Sequence, residues 1–213
     1  MPEPVQPKPS IVPARGRIAA DSLKTGAYQL IPLPFVDDWL TARQRKGMVR
    51  AILETRGLTY DSAVPRLLAG GSLSFTARLG SLAKGLVLKP LRKVFRTVFF
   101  WLSARRAARA ILETYFLGRF LHHPALKPGE STTHLTVNDA RRLAAVFAEV
   151  AGNIDLKAAR DLVEKLARLV KKPFRSSATV TSDQLRGVIE QQAPGFIESF
   201  DRLVNQKLAP PDA

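Results

Sequence analysis

The sequence predicts an all-α fold: a disordered, proline-rich N-terminal tail, a basic amphipathic helical module, and a small C-terminal helical bundle. Three observations predict it. Apolar residues recur at helical spacing through most of the chain. Thr136 with Asp139, and Thr181 with Gln184, have the spacing of capping boxes. Prolines and glycines punctuate the apolar runs where helices would start and stop.

Residues 1–20 form the expected tail, because Pro2, Pro4, Pro7, Pro9 and Pro13 break regular hydrogen bonding. The basic module is expected over 21–121. Within it, Ile31-Pro32-Leu33-Pro34-Phe35-Val36-Asp37 reads as extended, since each proline disfavours helix at the residue before it. Asp37 or Asp38 then caps a helix through Trp39, Leu40, Met48, Ile52 and Leu53, which Gly57 closes. Beyond Gly70-Gly71, Leu79, Leu82 and Leu86 share a helical face, with Ala77, Ser81 and Gly85 as a small-residue ridge. Pro90 suits the first turn of the next helix, whose stripe is Leu91, Val94, Phe95, Val98 and Leu102. At helical spacing that stripe runs into Arg105, Arg106 and Arg109, so a break is expected near Ser103. A separate helix then carries Ala108, Ile111, Leu112 and Tyr115.

Residues 122–133, with Pro124, Pro128 and Gly129, read as a linker to a C-terminal domain over 134–208. There Leu143, Ala144, Phe147 and Val150 form one stripe, and Leu156, Leu162, Val163, Leu166 and Val170 the next. Asn153 or Asp155 starts the second of these helices. The last pattern, through Leu185, Val188 and Ile189, breaks at Pro194-Gly195 and resumes through Phe200, Leu203 and Val204.

Charge is the most uneven property of the chain. The net formal charge is +15, and Ser62–Leu112 contains ten cations and no acid. The other 162 residues carry 23 cations and 18 acids. Solvated helices ordinarily mix both signs, so a one-sign block points to a polyanionic partner. The residues expected to meet it are Lys84, Lys89, Arg92, Lys93, Arg96, Arg105, Arg106 and Arg109, together with Phe99, Phe100 and Trp101. Cations interleaved with a dense aromatic face suit an anionic membrane surface, where rings enter the acyl boundary and cations meet phosphates. Nucleic acid is the alternative polyanion for the same cations, although no helix-turn-helix, RNP-like or zinc signature accompanies them.

The chain has no cysteine, which excludes disulfides, thiolate zinc sites and a cysteine nucleophile. Gly80 and Gly85 have phosphate-loop spacing, but Leu86 stands where the lysine must be. No G-x-S-x-G elbow is present, and Arg175-Ser176-Ser177-Ala178 offers no carboxylate ladder for calcium. His122 and His123 read as helix-end residues, and no cofactor, metal or enzymatic activity is expected. Met1–Pro13 lacks the apolar segment of a secretory signal, and no run approaches about 18 uninterrupted apolar residues. The expected location is cytoplasmic and peripheral at the inner face of the membrane. The expected function is a non-enzymatic adaptor or scaffold, with the C-terminal domain binding a protein partner.

The Ile31–Asp37 run, the helix after it, and a small-residue-rich amphipathic region ending at Glu113-Thr114-Tyr115-Phe116 together resemble the YcjF-like bacterial family over residues 28–121. The resemblance implies a helical membrane-associated protein, coupled in some members to small GTP-binding domains. It implies no catalytic residues.

Overall fold

A computed structural model describes residues 14–28, 36–70, 92–124, 126, 134–171, 180–191 and 194–208. These residues are 85% helical, in eight helices, which establishes the all-α class. In chain order the elements are α1 (Ala14–Tyr28), α2 (Val36–Thr55), β1 (Thr59–Tyr60), α3 (Val64–Gly70), α4 (Arg92–Leu121), β2 (His134–Leu135), α5 (Val137–Gly152), α6 (Leu156–Lys171), α7 (Ser182–Arg186) and α8 (Pro194–Leu208). A π-helical turn, Gly187–Gln191, continues α7.

Helix α4 is the axis of the fold. Every residue from Ala110 to Gly118 is buried, and Phe120 and Leu121 are as well. Helices α1, α2 and α6 pack along it. Phe116 lies edge-on to Phe196 at 5.1 Å and against Phe200 at 4.6 Å, while Phe120 meets Phe147 at 5.4 Å. Such aromatic pairs add about 0.5–1.5 kcal/mol each beyond the area they bury. The buried residues of α1–α4 and of α5–α8 form one cluster. The core is thus continuous across the segment expected as a linker.

Local signals explain the helix ends. Gly57, with φ 69°, closes α2 in a Schellman motif: its N–H donates to the Glu54 carbonyl and the Leu58 N–H to the Leu53 carbonyl, both at 3.0 Å. Thr136–Asp139 and Thr181–Gln184 both form complete capping boxes. Asp155 starts α6, accepting the Lys157 N–H at 2.8 Å. Pro194 is the first residue of α8, a position that needs no proline N–H. The strands β1 and β2 pair in parallel, Thr59 with His134 and Tyr60 with Leu135. Asp61 completes that junction by accepting the Val137 N–H at 3.1 Å, which caps α5.

Three expectations are corrected. The tail does not reach residue 20: α1 begins at Ala14, and Ile18 and Ala19 are buried. Its packing face is built from Ala19, Ser22, Thr25 and Gly26, small or polar residues that leave little apolar periodicity to read. The extended run ends earlier than expected, because Val36 and Asp37 belong to α2; residues 31–35 lie outside the described residues. The break at Ser103 is absent, and α4 is helical throughout. The arginines that argued for it are accommodated: Arg105 pairs with Glu164 of α6 at 2.9 Å, Arg106 is exposed and Arg109 is half-buried. Residues 71–91, with the Ala77–Ser81–Gly85 ridge and Pro90, lie outside the described residues.

Candidate functional site

The charged and aromatic residues singled out from the sequence fall into three groups. Lys84 and Lys89 lie outside the described residues. Arg92, Lys93, Arg96, Phe99, Phe100 and Trp101 belong to the first three turns of α4, where the backbone is helical and the side chains are outside the description. Arg105, Arg106 and Arg109 follow on the same helix. Burial lowers the Arg105 guanidinium below its ordinary pKa, partly offset by Glu164. Burial and then Arg105 lower that of Arg109. Both remain cations at neutral pH, because arginine starts so high.

Arg45 of α2 and Arg56, just after its end, show how the first turns of α4 are placed. Arg45 is buried and reaches Glu113 at 2.6 Å, Thr114 Oγ1 at 3.0 Å and the Ala110 carbonyl at 3.4 Å. Arg56 donates to the carbonyls of Leu121 at 2.5 Å, His123 at 3.4 Å and Leu126, covering the C-terminal end of α4. Every one of these contacts joins residues 65–70 apart in sequence, so α2 and α4 run parallel and in step. By that offset Val36, the first residue of α2, stands level with about residues 101–106 of α4. The turns before that extend past the start of α2.

Helical spacing then identifies the surface involved. Ala110, Glu113 and Thr114 form the face of α4 that Arg45 contacts. Followed toward the N-terminus, the same face holds the positions of Arg106, Ser103, Phe99, Arg96 and Arg92, at steps of three and four. Arg106 is exposed. The helix therefore changes, along one face, from a buried ion pair to a basic and aromatic row. Among the described residues no helix is long and apolar enough to cross a membrane.

Apolar patterning gives Trp39 only as one of the apolar residues of its helix. It is 58% exposed, and the Arg43 guanidinium carbon lies 5.4 Å from its ring centroid. Arg43 and Arg50 are exposed and Lys46 is half-buried. The spacing Trp39, Arg43, Lys46, Arg50, at steps of four, three and four, was the available signal.

At the other end of α4 a cleft of about 480 Å³ is lined by Ile18, Tyr115, Arg119, His122, His123, Pro124, Asp201 and Asn205. Its charges are already matched: Arg119 grips Asp201 through two bonds of 2.8 and 2.5 Å, and Tyr115 Oη donates to Glu190 at 2.8 Å. Burial and the nearby Arg56 lower the His122 pKa. His123 is lowered by burial and by Arg119 and Arg56, against an opposing pull from Asp201. No Ser, Thr or Cys lines the cleft. Among the described residues no group of three or more His, Asp or Glu is placed to hold a metal ion. Comparison with protein-family models, curated proteins and solved structures finds no match to this chain.

Proposed function

We propose that the protein is a non-enzymatic helical adaptor that engages an anionic membrane surface through the first turns of α4. The observation that carries this reading is the continuity of α4. One unbroken helix is anchored in the core from Ala104 to Leu121, and it carries Arg92, Lys93, Arg96, Phe99, Phe100 and Trp101 beyond the start of α2. An anchored helix needs none of the backbone ordering that a free peptide undergoes on binding. The acid-free block around it and the resemblance to a membrane-associated family point the same way. The exposed faces of α5–α8 are the surface left for a protein partner.

Each cation near an anionic surface contributes up to about 1 kcal/mol, which salt weakens. Each fully buried aromatic ring contributes about 1.5–3 kcal/mol, which survives salt. Vesicle flotation across a salt series tests the reading. Changing Arg92, Lys93 and Arg96 to Gln is expected to weaken binding mainly to anionic vesicles. Changing Phe99, Phe100 and Trp101 to Ser is expected to release the protein even at low salt, with circular dichroism confirming the fold. A wild-type protein that ignores vesicles and shifts DNA would assign the same cations to nucleic acid instead.

A further inference from the structure

We propose that α2 carries a second contact for anionic lipid, the row Trp39, Arg43, Lys46 and Arg50; this rests on the lipid-surface reading of α4. The four residues occupy one face of the helix over about 16 Å of its length. The opposite face, with Thr41, Arg45, Met48, Val49 and Ile52, is buried against the rest of the protein. No acid occurs from Trp39 to Leu53, and Glu54, which accepts a hydrogen bond from Tyr60, ends the row. Among the described residues Trp39 is the sole large hydrophobic side chain that is exposed. Gly47 leaves open space beside the cations, since a Cβ there would meet nothing within 4 Å.

Two features select a lipid surface as the occupant. The row's one aromatic residue is tryptophan, whose ring favours the boundary between headgroups and acyl chains. The Arg43 guanidinium already lies over one face of that ring, leaving less of it for the base stacking that binds single-stranded nucleic acid. Position supplies a further argument. Trp39 stands at the end of α2 level with about Arg106, so the row begins beside the turns of α4 that extend past α2. Arg43, Lys46 and Arg50 follow Trp39 away from those turns, level with about residues 108–120 of α4.

The test uses the full chain with phosphatidylcholine vesicles, with and without phosphatidylglycerol. Changing Arg43, Lys46 and Arg50 together to Gln should weaken binding to the anionic vesicles by roughly tenfold or more at low salt, and much less at high salt. Trp39→Ser should cost roughly tenfold and persist at high salt. Trp39, Arg43 and Arg50 are exposed and Lys46 is half-buried, so melting temperatures should stay close to wild type. In a Trp101→Phe variant, which leaves Trp39 as the one tryptophan, the emission should shift blue when anionic vesicles are added. If these variants bind as wild type while the Arg92, Lys93 and Arg96 variant is weakened, the α2 contact is overturned and the α4 reading stands. If the α2 variants lose binding and the α4 variant does not, α2 is the contact and the α4 reading falls. Wild-type protein that ignores anionic vesicles and binds an oligonucleotide, with affinity lost in the Arg43, Lys46 and Arg50 variant, would overturn lipid as the occupant.

Discussion

Arg45 and Glu113 form an ion pair whose side chains are 8% and 3% exposed. Removing one partner from a buried pair leaves the other charge in the interior, at a cost of about 3–5 kcal/mol. Glu113→Leu is therefore expected to lower the free energy of unfolding by about that much in a urea titration, and adding Arg45→Met should recover most of the loss. The histidines at the end of α4 make a second prediction. Their pKa values are lowered in the fold, so below the ordinary value of about 6.5 the unfolded chain binds protons that the native state refuses. Their contribution is complete above that pH and is lost as pH falls through the folded values. The melting temperature should thus decline on acidification below about pH 6.5, and more shallowly in a His122→Gln/His123→Gln variant. None of this was legible in the sequence. Arg45 and Glu113 are 68 residues apart, and only the parallel packing of α2 on α4 turns two surface-like residues into a core pair.

Helix α1 shows why one element escaped the pattern. It runs antiparallel to α4, with Ile18 against Gly118 and Gly26 against Ile111. A Cβ at Gly26 would sit inside the Ile111 side chain, 2.6 Å from Cδ1 and 3.2 Å from the Ala107 carbonyl oxygen. Close approach replaces bulky side chains here, so the contact leaves a signature of small residues, and a count of apolar ones misses it. Gly26→Ala should destabilise the protein by about 1–3 kcal/mol, whereas Gly47→Ala, in open space on α2, should stabilise it by about 0.5–1 kcal/mol. Paired thermal melts check both signs. The capping boxes and the glycine end of α2 were readable, because a cap is a contact between near neighbours. The continuity of α4 was not, since Glu164 meets Arg105 from 59 residues away and makes an arginine tolerable where helical spacing alone argued for a break.

At the scale of the whole molecule, the basic block and the near-balance from His134 onward, 12 cations to 10 acids, suggest a boundary near residues 122–133, while the packing crosses it. Phe147, Phe196 and Phe200 complete their contacts on α4, and Leu162 and Leu166 belong to the same core. A fragment beginning near His134 would uncover those side chains. It is expected to lack a cooperative melting transition on its own and to gain one when a peptide spanning α4 is added, which circular dichroism would register. The placement of α4 also has a consequence in time. Arg119 and its partner Asp201 are 82 residues apart, and at about 5–20 residues per second a ribosome needs roughly 4–16 seconds to deliver the second after the first. For most of that interval Phe116 has neither Phe196 nor Phe200 to cover it. The emerging chain must therefore hold its longest helix half-dressed for seconds. A nascent chain stalled before residue 190 should recruit a holdase chaperone that the released protein does not.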